Sequence, residues 1–270
     1  VALHLTPIIE GNEKGETIVF VQGWPDDASL WDGSVQALHD EYRCVRVTLP
    51  NFDGEKTARA GYSTLEIVDA LAAMVRDAGR GRPVILVLHD WGCYWGHAVH
   101  HRHPELVTAV AGVDVAPHYK PTPFATAFIL AYQWWLLGAF VVGGGLGDWM
   151  TRTFAKLFNA STNPARLTAW MNYPYRNIWA DIFRGRDRQL QQGYWPTCPL
   201  LFVYGEKKPA HFHSAAWVDH VRKVGGEVVG LPCDHWVPRS ASFAGLLHRW
   251  IKQLPSTARA SEQTSAVGDA

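Results

Sequence analysis

Residues 88–96 read Leu-His-Asp-Trp-Gly-Cys-Tyr-Trp-Gly, and they close the run Pro83-Val84-Ile85-Leu86-Val87-Leu88. That run is short, aliphatic and rich in β-branched residues, the pattern of a strand buried on both faces of a parallel sheet. A carboxylate at its end is costly, because desolvation takes several kcal/mol unless the charge is paired or hydrogen-bonded. Asp90 is therefore either a satisfied structural acid or a reacting one. Between a predicted strand and a predicted helix, with Gly92 and Gly96 giving room, it stands where a strained turn presents a nucleophile and the next backbone N–H faces the reaction centre. The alternative is a helix N-cap, with Asp90 accepting from the first free N–H groups. Leu88 fits least well, since such turns usually carry a small residue two positions before the nucleophile.

Outward from this stretch, strand-like runs recur at 18–22, 44–49, 84–88, 108–115, 200–204 and 226–230. Helical periodicity separates several of them, as at 64–78, where Leu65, Val68, Leu71, Ala72 and Val75 recur at spacings of three and four. Strands alternating with helices predict an α/β fold with a mostly parallel, doubly wound sheet. The interval 118–196 breaks the rhythm. It is helical throughout and rich in tryptophan, and is expected to be a helical cap over the carboxyl ends of the strands, where ligands bind in open α/β sheets. The expected organisation is a core of 1–117 and 197–254, a cap of 118–196 and a flexible tail of 255–270 that has almost no large apolar residue. Residues 1–15 read as polar and turn-like.

Composition narrows the partners. Lys plus Arg and Asp plus Glu balance at 25 each in 270 residues, which gives no electrostatic footprint for nucleic acid or an anionic membrane. A small-molecule partner is expected. The longest apolar stretch, 125–147, is interrupted by Tyr132-Gln133, ends in three glycines and lacks an orienting basic flank. It reads as part of an amphipathic helix pair covering a cavity, not as a membrane span. No signal-peptide pattern opens the chain, so a cytoplasmic location is expected, although a leader trimmed ahead of Val1 stays open. The four cysteines form no CxxC pair. His97, His100, His101 and His103 have helical spacing, but no carboxylate completes a usual ligand set, so no metal site is expected.

Other loops carry residues that chemistry at Asp90 would need. Val21-Gln22-Gly23-Trp24-Pro25 follows the first strong strand. His235, in Pro232-Cys233-Asp234-His235-Trp236, lies between the last strand and the terminal helix, the place and chain order expected of a general base. The acid that orients it is open between two residues. Glu206 is the only acid in Tyr204-Gly205-Glu206-Lys207-Lys208-Pro209, where Lys208 occupies the slot that would normally hold Asp. Asp114 ends the run Val110-Ala111-Gly112-Val113 and is favoured.

With HDWG at 89–92, QGWP at 22–25, a helical cap and DHW at 234–236, the chain resembles α/β-hydrolase fold enzymes with an aspartate nucleophile, from about residue 7 to 253. Epoxide hydrolases and haloalkane dehalogenases both carry HDWG. The resemblance implies that the backbone N–H groups of Trp24 and Trp91 form an oxyanion site. It also marks a departure, because the family pattern is His-Gly-x-Pro and Gln22 replaces the histidine. Tyr132-Gln133 resembles the first cap-tyrosine motif of epoxide hydrolases and Tyr175-Arg176-Asn177 the second, with Tyr173 a close competitor. A dehalogenase would instead hold the leaving halide with neutral N–H donors such as the Trp91 indole, and Leu88 and Asp114 look dehalogenase-like.

The expectation is a hydrolase acting on a small apolar epoxide or haloalkane-type substrate. Asp90 forms an ester by opening an epoxide, Tyr132 and Tyr175 donate to the ring oxygen, and His235 activates water against the ester. No metal or organic cofactor is required. A dehalogenase with the same nucleophile, a non-catalytic binding protein of this fold, an esterase and a cofactor-free oxygenase are the other readings.

Overall fold

The computed structural model describes residues 3–53, 58–160, 163–185 and 193–255, so nearly all of the tail assigned to 255–270 lies outside the described residues. Seven strands form one sheet in the order β1-β3-β2-β4-β5-β6-β7. They are β1 (Pro7–Gly11), β2 (Thr17–Val21), β3 (Arg43–Val47), β4 (Val84–His89), β5 (Val107–Val113), β6 (Leu200–Gly205) and β7 (Glu227–Leu231). All neighbours run parallel except β1, which is antiparallel to β3. Every residue of β2 and β4 is buried, as unbroken apolar runs require when helices cover both faces of a parallel sheet.

The helices flanking the sheet are α1 (Asp32–Leu38), α2 (Thr64–Gly79), α3 (Trp91–Arg102), α7 (Ala215–Lys223) and α8 (Phe243–Gln253). Helix α2 packs on α3, and α1 on α8. Helix α2 starts where its sequence directs: Ser63 accepts from the Glu66 N–H while the Glu66 side chain accepts from the Ser63 N–H, a capping box that satisfies two orphan donors. The expectation for residues 1–15 needs correction, because β1 lies within them. Ile8 and Ile9 are 47% and 44% exposed, so this edge strand shows neither a buried run nor clean alternation, and it is held by backbone pairing to β3.

Among the described residues, three α-helices inserted between β5 and β6 form the cap: α4 (Pro123–Val142), α5 (Gly144–Leu157) and α6 (Tyr173–Phe183). Helix α4 packs on both α5 and α6. It is not amphipathic, contrary to expectation: Ala125, Ile129, Leu136 and Ala139 are buried, yet its outer face is apolar as well. The chain leaves the sheet after Val113 and returns at Leu200 on the adjoining strand, where Val113 pairs with Val203.

Leu88, the awkward residue of the turn, is accommodated by the helix that follows. A Cβ at Gly96 would lie 2.3 Å from a methyl carbon of Leu88, and Leu88 is fully buried. Large and small have exchanged places: the bulk sits on the strand and the gap on the helix. Gly96→Ala is expected to cost about 1–3 kcal/mol through overpacking. In denaturant titrations, Leu88→Ala combined with Gly96→Ala should be less destabilised than the sum of the single variants; strict additivity would show that the two positions do not share this space.

Candidate active site

The carboxyl ends of β2, β4, β5 and β6, with the loop after β7, converge on one cluster. Asp90 follows β4 with φ 52° and ψ −121°, a left-handed backbone that an L-residue adopts at a cost. It makes no side-chain cap to α3, so the N-cap alternative is not what the structure shows. Its Oδ2 accepts from the Trp24 N–H at 2.8 Å, and the neighbouring Trp91 backbone N–H helps to favour the ionised carboxylate. The Trp24 loop can come this close because residue 23 is glycine; a Cβ there would lie 2.3 Å from Asp90 Oδ2. Gln22 is buried and, with its amide turned to satisfy both groups, donates to the Val47 carbonyl and accepts from the Leu49 N–H. It thus anchors the loop to the end of β3 in place of the family histidine.

His235 Nε2 is 3.4 Å from Asp90 Oδ1, and His235 Nδ1 hydrogen-bonds Asp114 Oδ2. Asp114, directly after β5 with φ 70°, accepts at Oδ1 from the Gly205 N–H at 2.9 Å and from Lys208 Nζ at 2.5 Å. Glu206 points elsewhere: it is exposed, with its carboxylate beside Gly230. Lys208 therefore stands where an acid was expected and binds Asp114, at the end of the adjoining strand. His89 Nε2 contacts the His235 carbonyl at 3.0 Å. Asp26 accepts from the Trp236 indole at 2.6 Å and from Arg239, fastening the histidine loop to the loop that carries Trp24.

The charges are interdependent. Burial opposes protonation of His235, but the charge and hydrogen bond of Asp114, with Asp90 on the other side, hold its pKa up at about 9. Burial opposes ionisation of Asp90, and His235 nevertheless holds its pKa below the usual carboxylate value. Asp114 is held far lower still, against burial, by His235 and Lys208. Burial pushes Lys208 down while Asp114 supports its charge. Burial lowers His89 to about 4, so it is neutral and donates from Nε2. The cluster Asp90, His235, Asp114 and Lys208 thus rests as two anions alternating with two cations, the arrangement that makes buried charges tolerable.

Two cap tyrosines complete the enclosure. Tyr132 and Tyr175 line a cavity of about 310 Å³ together with Asp90 and His235, and their rings meet edge to face at 6.1 Å. Burial, reinforced by the Asp90 charge, raises both phenols above their ordinary pKa, so both are protonated donors. A second cavity of about 250 Å³ shares Asp90, Tyr132 and Phe212 with the first. Tyr173 lies elsewhere, fully buried against Phe52 and Tyr62. The Trp24 indole is committed to Asn172 Oδ1 at 2.9 Å, and the rings of Trp91 and Tyr175 meet edge to face at 5.3 Å. His97 and His100 both contact the Tyr194 hydroxyl, at 3.2 and 2.8 Å. Sequence reasoning missed Lys208 as a partner of Asp114, although its presence in the acid's slot was the signal. It also missed Asn172, which nothing in the sequence marked.

A sheet of this order, a tight turn after β4 that carries a buried acid beside a histidine, and an inserted cap define an α/β-hydrolase-fold enzyme with hydrolase-type machinery. The chain belongs to the alpha/beta hydrolase fold family, whose model matches residues 16–224. Within that family it is related to epoxide hydrolases, dehalogenases and decarboxylases. It is 28% identical over 160 residues to a cis-3-alkyl-4-alkyloxetan-2-one decarboxylase of Xanthomonas campestris, covering 54% of this chain and 48% of that protein. It is 25% identical over 126 residues to a fluoroacetate dehalogenase of a Burkholderia species, covering 45% and 41%. The match to "Probable oxidoreductase EphD" of Mycobacterium bovis, 34% over 90 residues, covers 31% of this chain and 14% of that protein. These matches span about half or less of the curated relatives' length. Among solved structures, a Bacillus megaterium epoxide hydrolase has a TM-score of 0.63 at 18% identity, covering 92% of this chain and 97% of that one. A haloalkane dehalogenase variant from Bradyrhizobium elkanii has 0.63 at 16%, covering 98% and 97%.

The alternating charges make a testable statement about protonation. His235, with its folded pKa above its ordinary value of 6.5, stabilises the fold fully below about pH 6.5, and this contribution is lost as pH rises through about 9. In an NMR titration of the imidazole, Asp114→Asn should lower the His235 pKa and Lys208→Met should raise it. A His235 pKa that is unmoved in both variants would contradict the coupling.

Proposed function

We propose that the protein is an epoxide hydrolase that opens the ring through an aspartyl ester. Asp90 Oδ1 attacks a ring carbon, the carbon–oxygen bond breaks, and the ring oxygen keeps the electron pair and takes a proton from Tyr132 or Tyr175. The tyrosine is re-protonated at the expense of His235, which is left neutral. This transfer is favoured because esterification removes the Asp90 charge that helped hold the imidazolium. His235 then takes a proton from water as the oxygen adds to Asp90 Cγ, and the Trp24 N–H, already on Oδ2, holds the oxyanion together with the Trp91 N–H. Collapse releases a vicinal diol carrying Oδ1 and regenerates the carboxylate and the imidazolium. In this reading the core is 1–117 with 197–254, the cap is 118–196, and Asp114 orients the base.

The observation that carries the proposal is the pair of protonated cap tyrosines facing the cavity that Asp90 lines. An epoxide needs acids at its ring oxygen, whereas a halide needs N–H donors, and the Trp24 indole is already committed to Asn172. A second reading comes from the Xanthomonas match: ring opening of an oxetan-2-one, which would release carbon dioxide in place of a diol.

Asp90→Ala is expected to abolish diol formation, a loss on the order of 10⁴-fold or more, as for removal of a nucleophile. Tyr175→Phe should slow it by about 10²–10⁴-fold. A single turnover in ¹⁸O-labelled water should give a first product without label at the newly added oxygen, since that oxygen comes from Asp90. Label in the first product would rule out the ester, and carbon dioxide from an oxetan-2-one without diol from any epoxide would favour the second reading.

A further inference from the structure

The cap presents an apolar face that none of the described residues covers. From residue 121 to residue 147 there is no Asp, Glu, Lys or Arg. Helix α4 exposes Phe124, Leu130, Trp134, Trp135, Val141 and Val142, at 39–68%. Leu130, Trp134 and Val141 lie in one row along the helix and Phe124, Trp135 and Val142 in the next, so the six form one broad apolar stripe. The stripe is continuous with neighbouring helices. Leu146 and Trp149 of α5 are 60% and 57% exposed, and Trp134 stacks on Trp179, which meets Phe183, itself 74% exposed, at 5.8 Å. A helix apolar on all sides belongs in an apolar medium. Yet its buried side holds α5 and α6, which a transmembrane orientation would leave without their partner.

Charge distinguishes among the possible occupants. The chain as a whole is neutral, but 118–196 carries eight Lys and Arg against three Asp and no Glu, a net +5 that the remainder offsets. Lys120 precedes α4, Lys156 adjoins exposed Leu157 on α5 and Arg184 follows Phe183, and all three are exposed. Overall neutrality therefore conceals a basic cap. The segment 256–270 is too poor in large apolar residues to cover the stripe. Apolar side chains with several tryptophans, bordered by cations, match the interface of a bilayer with anionic headgroups.

We propose that this face of the cap docks onto the surface of an anionic lipid bilayer, with α4 lying in the plane of the interface. Leu157, 76% exposed, lines the cavity that also contains Asp90, so docking would set the cavity edge beside the lipid, where apolar substrates concentrate.

The full chain should cosediment with vesicles of phosphatidylcholine and phosphatidylglycerol in equal parts, bind pure phosphatidylcholine less, and lose affinity for the mixed vesicles as salt is raised. The double variant Val141→Asp, Leu146→Glu should partition about tenfold less or weaker still, with unchanged circular dichroism and unchanged elution as a folded protein. Because the readout is binding, it stands apart from whether the chain hydrolyses epoxides. Failure of the wild type to bind either vesicle, or undiminished binding by the folded variant, overturns the proposal. So does light scattering that shows a dimer dissociated by the variant without any vesicle binding, which would assign the face to a second copy.

Discussion

A carboxylate at the end of a buried strand cannot stay ionised alone, and the cluster is organised around that constraint. Asp90 is balanced by His235, His235 by Asp114, and Asp114 by Lys208. Each of these charges would be costly without its neighbour, since removing one member of a buried pair leaves the other uncompensated. The four side chains come from the ends of β4, β5 and β6 and the loop after β7. The parallel register of those strands is therefore also a register of charges. Changing one of them alters the protonation of the rest.

Much of this was legible because it depends on local pattern. Unbroken aliphatic runs gave six of the seven strands to within about two residues, and the turn around Asp90 could be read from a strand, an acid and two glycines. What stayed illegible depends on contacts between distant residues. β1 escaped because Ile8 and Ile9 lie on a half-exposed edge, where pairing to β3 outweighs any pattern of their own. The choice between Asp114 and Glu206 required knowing that Lys208 folds back across to Asp114. Gln22 looked like a lost histidine until its amide was seen to bridge Val47 and Leu49. Tyr173 and Tyr175, two residues apart, could not be separated by motif; their side chains part company on α6, one packing on Phe52 and Tyr62 and the other lining the cavity.

The cap has two unlike faces. Inward, Asn172 joins the Trp24 indole to Thr151, and two tyrosines line the cavity with Asp90. Outward, α4 departs from the amphipathic pattern that its burial on one side would normally impose. A helix can be apolar on its second side only if something repays the exposure, so composition that first read as a cover for a cavity describes the outside of the cap as well.

The chain leaves the sheet one residue before Asp114 and re-enters it at Leu200, on the strand next door. The whole excursion is thus a detour that the sheet's register does not need, and both of its ends are fixed by strands that also fix the acid and Lys208. Its length and composition can therefore vary, and with them the lining of the cavity, without disturbing the strands that place Asp114 and Lys208.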